Sequence, residues 1–134
     1  MPIVMNFRDV EPAGGFEPLP PGTYMFQVVG AELYEPDDPD KYPGFKLESD
    51  VIEGEYAGRK LFHYLSSSPK AASFTLAALL SMGFSEEALV GAEAVEIDAE
   101  DLLGCEFAAR IKIEDRGEYG KQNVVSRYIR PEEL

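Results

Sequence analysis

Gly54-Glu55-Tyr56-Ala57-Gly58-Arg59-Lys60-Leu61-Phe62-His63-Tyr64-Leu65 is the stretch whose reading decides the fold. Two glycines bracket a reversal, and the residues after it fall into two phases. Leu61, His63 and Leu65 share one phase; Lys60, Phe62 and Tyr64 share the other. A period of two is that of a strand with one buried face, so the stretch reads as the turn and second arm of a β-hairpin. With the leucines inward, the basic pair Arg59 and Lys60 opens the arm and two rings follow on the outward phase. Cations beside rings can hold phosphates and stack the bases of a single strand of nucleic acid. The competing reading, a bulged strand with Phe62 in the core, is open at this level.

On the N-terminal side, Phe45, Leu47 and Val51 alternate with Lys46, Glu48 and Asp50, which gives the first arm of that hairpin. Before it, the prolines of residues 35–44 exclude a regular element and mark a long loop. Over residues 23–34, Tyr24, Phe26 and Val28 alternate until Val29-Gly30, after which Ala31 and Leu33 take the opposite phase. Alternation that changes phase at a glycine predicts a bulged, strongly bent first strand.

On the C-terminal side, Ser67-Ser68-Pro69 is a helix start, and Ala72, Leu76, Leu79 and Leu80 predict a helix over residues 70–82 that stops at Gly83. Residues 85–89 and 98–103 suggest two further short turns of helix, each opening with acids that suit the positive helix end. Phe107, Ala109, Ile111 and Ile113 alternate in a fourth strand, and residues 115–120 turn into a fifth over 121–129. The whole reads as mainly β: a five-stranded OB-like Greek-key barrel with one α-helix between strands 3 and 4. Residues 22–130 form that domain. Residues 1–21 are an extended N-terminal arm, expected to be pinned by Phe7 or Phe16, and residues 131–134 are a short acidic tail.

The formal charge is −13, and its distribution is uneven. Residues 30–55 hold nine acids against Lys41 and Lys46, and residues 86–101 hold seven acids and no base. Residues 59–80 carry Arg59, Lys60 and Lys70 without an acid, and residues 106–130 carry six bases against four acids. A groove where the two basic stretches meet would be locally positive inside an acidic protein. Arg110 and Lys112 lie out of phase with Ile111 and Ile113, so both should project outward, and Arg116, Tyr119 and Lys121 lie in or beside the next turn. The nucleic-acid-binding set expected from sequence is therefore Arg59, Lys60, Arg110, Lys112, Lys121 and Arg127 for phosphates, with Phe62, Tyr64 and Tyr119 for stacking. Tyr42 in the long loop could add a ring.

Other chemistries lack their parts. The chain has no phosphate-cradling glycine loop with its lysine, and Cys105 is its one cysteine, so neither an internal disulfide nor a multi-cysteine zinc site is available. Pro36 and Pro39 break the spacing a calcium loop needs around Asp37, Asp38 and Asp40. His63, the one histidine, reads as a hydrogen-bonded strand residue. Neither catalysis nor a cofactor is expected. The absence of an export segment or a membrane-length apolar run predicts a soluble, cytoplasmic protein.

Pro21-Gly22-Thr23-Tyr24, the run Val51-Ile52-Glu53-Gly54-Glu55-Tyr56-Ala57-Gly58-Arg59-Lys60-Leu61-Phe62, the helix ending in Met82-Gly83, and Ile97-Asp98 to Leu103-Gly104 follow one another in that order along the chain. In these features, over about residues 20–130, the chain resembles a family of small bacteriophage proteins formerly of unknown function, encoded near phage replication and recombination genes. The resemblance implies an OB-like barrel that binds single-stranded DNA, and it maps loosely onto Gly58, Arg59 and Phe62. Arg130-Pro131-Glu132-Glu133-Leu134 is far shorter than the acidic tails by which many single-strand binders recruit partners, which counts against recruitment through the tail. The expected function is sequence-nonspecific binding of single-stranded DNA in phage replication and recombination, in the bacterial host cytoplasm, with a phage recombinase or replication protein as partner. The alternative is an acidic protein-binding accessory, or DNA mimic, that docks a recombinase or host factor; a virion role is a weaker third. Sequence leaves homo-oligomerisation and the choice of DNA over RNA open.

Overall fold

β1, Gly22–Tyr34, is the strand to which the others are added. Its first half pairs with β4, Glu106–Asp115, from Gly22 opposite Ile111 to Gln27 opposite Glu106. Its second half pairs with β2, Gly44–Val51, from Phe26 opposite Val51 to Tyr34 opposite Gly44. The register of the β1–β2 ladder shifts between Val28 and Gly30, where the sequence changes phase. The extra residue turns Ala31 to the core side without breaking the strand, as a bulge does. The structure is a computed structural model that describes residues 1–8, 18–38, 40–91 and 94–133, with the backbone but not the side chain of Tyr119.

β3, Lys60–Ser66, pairs with β2, and β5, Lys121–Ile129, pairs with β4. The result is one antiparallel sheet in the order β3-β2-β1-β4-β5. The β2–β3 turn uses Gly54 at φ +86° and Gly58 at φ +93°, left-handed conformations that strain other residues. It is closed by Gly58 N–H donating to the Val51 carbonyl (2.8 Å) and Val51 N–H donating to the Arg59 carbonyl (2.8 Å). β4 and β5 are joined through a 3-10 turn, Gly117–Tyr119. Five strands with helix between the third and fourth stand as expected. Among the described residues no backbone ladder joins β3 to β5, so the sheet is open along that seam.

α1, Ala72–Ser81, follows a 3-10 turn, Pro69–Ala71, whose Ser68 cap accepts the Ala71 N–H through its hydroxyl (3.3 Å). It buries Ala78 and Leu79 in the core, and Ser81 Oγ meets both the N–H and the carbonyl of Ala108 on β4 at 3.1 Å. The two short turns are also helical: α2, Glu86–Val90, capped by Ser85, and α3, Ala99–Leu102, opened by a capping box of Asp98 and Asp101. Inside the sheet, Phe26 and Phe107 stack at 5.2 Å with Leu47, Leu61, Leu65 and Ile111 around them. No helix among the described residues is long and apolar enough to cross a membrane.

The anchor of the N-terminal arm differs from expectation. Phe7 is 70% exposed, and Phe16 lies outside the described residues. Leu19 takes that role: its side chain is fully buried, and Asn123 on β5 accepts its N–H through Oδ1 (2.7 Å) and donates to its carbonyl through Nδ2 (2.9 Å). Flanked by Pro18 and Pro20, which have no N–H, Leu19 cannot extend a ladder, and a side-chain amide supplies both partners instead.

Candidate nucleic-acid interface

The β2–β3 register puts Lys46 opposite Tyr64, Glu48 opposite Phe62 and Asp50 opposite Lys60. Residues opposite one another share a face, and this is the outer one, because Leu61 and Leu65 are buried. Phe62 is accordingly 63% exposed and Tyr64 38%; the bulged alternative with Phe62 in the core does not occur. The Tyr64 ring meets Tyr34 of β1 edge-on at 5.8 Å, and Lys46 Nζ sits 4.7 Å above the Tyr34 ring. Gly44 leaves the space that Tyr64 uses: a Cβ there would lie 2.6 Å from Tyr64 Oη and would also overlap the Leu65 carbonyl oxygen.

A groove of about 480 Å³ runs along the open seam, with Phe62 and Tyr64 of β3 on one side, Asn123 and Val125 of β5 on the other, and Arg116 of the β4–β5 turn and Phe74 of α1 also in its wall. A second depression of about 500 Å³ continues past Tyr64 between Tyr34, Lys41, Tyr42 and Lys46. Lys46 and Tyr64 belong to both. The two form a path from the β4–β5 turn, over the outer face of the hairpin, to the long β1–β2 loop.

Beneath the groove, side chains bridge the seam that the backbone leaves open. His63 Nε2 lies 2.8 Å from the Ser49 hydroxyl and Nδ1 lies 2.8 Å from the Tyr128 hydroxyl. Burial lowers the His63 pKa to about 4 and pushes that of Tyr128 well above its ordinary value. At neutral pH the imidazole is uncharged, donating from one nitrogen and accepting at the other, so the chain of hydrogen bonds is satisfied in either direction. Ser49 has no exposed surface, and the trio is a strut joining β2, β3 and β5, with His63 and Tyr128 also lining the groove. Phe107 and Phe74 pack on Tyr128 at 5.8 and 5.0 Å and complete the bridge.

Of the residues expected from sequence, the structure places Phe62 and Tyr64 in the groove wall. Lys60 is drawn sideways into ion pairs with Asp50 (2.9 Å) and Glu48 (3.7 Å), and its hydrogen bond to Asp50 raises its pKa. Arg127 pairs with Glu133 at 2.5 Å. Arg59 lies within electrostatic reach of Tyr24, on the hairpin-turn side. Arg110 and Lys112 are exposed on β4 as expected, Arg110 opposite Arg127, and Lys121 lies opposite Asp115. Arg110, Lys112 and Lys121 make no ion pair among the described residues, but none of the three lines the groove. The side chain of Tyr119 lies outside the described residues.

Sequence reasoning missed Lys46, Tyr34 and Phe74, and it had named Arg116 only as a neighbour of the turn. Counting back from the Gly54–Gly58 reversal would have set Lys46 opposite Tyr64, since hairpin register follows from the turn. Tyr34 and Phe74 gave no such signal, being placed by a long loop and by helix packing. No protein-family model matches the chain, and no curated protein matches it in sequence.

Proposed function

We propose that this protein binds single-stranded DNA without sequence preference, by laying the strand along the groove between the long loop and the β4–β5 turn. The observation that carries the reading is the exposed aromatic row Phe62, Tyr64 and Tyr34 with Lys46 among its rings. Stacking on such rings tolerates any base and contributes about 1–3 kcal/mol per base. Lys46 and Lys41 stand beside the rings, where a backbone would pass, and Arg116, paired with Glu114 at 3.3 Å, lies at the other end of the groove. The chain is read here as an OB-like barrel of the phage replication and recombination type, closed across β3 and β5 by the His63–Tyr128 bridge rather than by a ladder. In that fold the second and third strands and the two flanking loops bind oligonucleotides.

The test is fluorescence anisotropy with a labelled oligo-dT of about thirty nucleotides beside the corresponding duplex, at two salt concentrations. Binding that prefers the single strand and weakens as salt rises is the expected result. No binding at low salt overturns the reading. One observation favours a second reading, an acidic accessory that docks a basic protein: Glu48 lies directly opposite Phe62, and Asp50 balances Lys60. A partner presenting Lys or Arg around an apolar contact fits that arrangement, and a DNA-negative result with retention on a basic recombination protein would select it.

A further inference from the structure

The path over the hairpin has two halves of different chemistry. In the loop half, Lys41 and Lys46 stand among the rings of Tyr34, Tyr42 and Tyr64 and make no ion pair among the described residues. In the seam half, beyond Lys46 and Tyr64, most polar side chains are already engaged. Arg116 is paired with Glu114 at 3.3 Å, both nitrogens of His63 are taken by Ser49 and Tyr128, and the Asn123 amide holds Leu19. His63 is also uncharged at neutral pH, since burial lowers its pKa to about 4. Gln122 is the exception in that wall: its side-chain amide makes no hydrogen bond among the described residues.

What the seam half offers instead is apolar surface. Phe62 of β3 is 63% exposed, Val124 and Val125 come from β5, and Phe74 comes from the first turn of α1. Phe74 is 37% exposed, and its ring meets that of Tyr128, buried beneath the groove, at 5.0 Å and 60°. A phosphate is held by an uncommitted cation, which the loop half supplies twice over. An unstacked base is held by ring faces and apolar walls, which the seam half supplies from two different elements.

We propose that the seam half is a pocket for one unstacked nucleobase of the bound strand, held between Phe62 of the sheet and Phe74 of the helix, while the adjoining phosphates lie over Lys46 and Lys41. The Gln122 amide carries both donors and an acceptor, so it can meet the edge of any base, in keeping with binding without sequence preference. Phe74 is then a ligand-contacting residue that lies off the sheet altogether. The proposal rests on the single-strand reading and adds to it where the backbone passes and where a base enters.

The chain has no tryptophan, so Phe74→Trp installs a single reporter in the pocket. Leu103→Trp, at a position 46% exposed and in neither depression, is the control. Each is titrated with oligo-dT of about thirty nucleotides while tryptophan emission and anisotropy are read together. The emission of Phe74→Trp is expected to fall in step with binding, and that of Leu103→Trp to stay level. Phe74→Ala, checked for folding by circular dichroism, is expected to bind about tenfold more weakly with an unchanged salt slope, because a ring contact is lost and no phosphate contact with it. Phe74→Tyr is expected to restore the affinity. If the strand binds while the emission of Phe74→Trp stays constant, or if folded Phe74→Ala binds as tightly as the parent, the pocket is overturned and the single-strand reading stands. If the parent binds no single strand at low salt, that reading falls and the pocket falls with it.

Discussion

Phe62 is a large apolar side chain that a strand of this core does not need, because Leu61 and Leu65 already fill the inner face and Phe62 is 63% exposed. Phe62→Ala is therefore expected to leave the melting temperature within about 2 °C of the parent, as surface substitutions usually do. The same change is expected to weaken single-strand binding by about tenfold, a result read by anisotropy. Lys46 and Lys60 separate the same way. Lys46 sits over a ring and makes no ion pair among the described residues, with Glu32 opposite it on β1, whereas Lys60 is paired with both Asp50 and Glu48. Lys46→Ala should lower the magnitude of the salt slope by about 0.7, the share of one phosphate contact on a single strand, and Lys60→Ala by less. The alternation of residues 60–65 made the outward direction of Phe62 and Tyr64 legible. The fate of the Lys60 charge was not, because it depends on Glu48 and Asp50 across the ladder.

At the scale of elements, two devices hold the site in place. Gly44 opens β2 beneath Tyr64, and a methyl group there meets both the tyrosine hydroxyl and the Leu65 carbonyl oxygen. The ring can swing away; the carbonyl, inside a ladder, cannot. Gly44→Ala is expected to lower stability by about 1–3 kcal/mol, measured by urea unfolding, and to disturb Tyr64. Asn123 holds Leu19 by two hydrogen bonds. Asn123→Ala leaves the Leu19 amide without its partner and should cost about 1–3 kcal/mol, with faster proteolysis N-terminal to Gly22. The bulged β1, the hairpin and the three helices were written in local pattern: a phase change at Val29-Gly30, glycines at a reversal, serine before proline. The anchor of the arm was not, since Leu19 and Asn123 meet only after the whole sheet has formed.

For the molecule as a whole, acidity and the seam decide the response to pH. His63 has a folded pKa of about 4 against an ordinary 6.5, so between those values the unfolded chain holds more protons than the folded one. Stability from this group is thus full above about pH 6.5 and falls as the pH drops toward 4, by about 3 kcal/mol in all. Urea midpoints measured from pH 7 to pH 4 should show this slope in the parent and a shallower one in His63→Gln. The net charge of −13 said that any DNA site had to be local, but not where. The groove proposed for DNA lies along the β3–β5 seam, which no ladder marks among the described residues and which only the assembled His63, Ser49 and Tyr128 reveal.

The double pairing of β1 also orders the folding reaction in time. The hairpin β2–β3 and the ladder β1–β2 join neighbours in sequence, whereas Gly22 must wait for Ile111. Closing that long loop is the entropically expensive step, so the early meander forms quickly and the capture of β4 sets the rate. Substitutions that weaken the β1–β4 ladder at Thr23 or Ala109 should slow refolding, while those confined to the β2–β3 turn act mainly on unfolding.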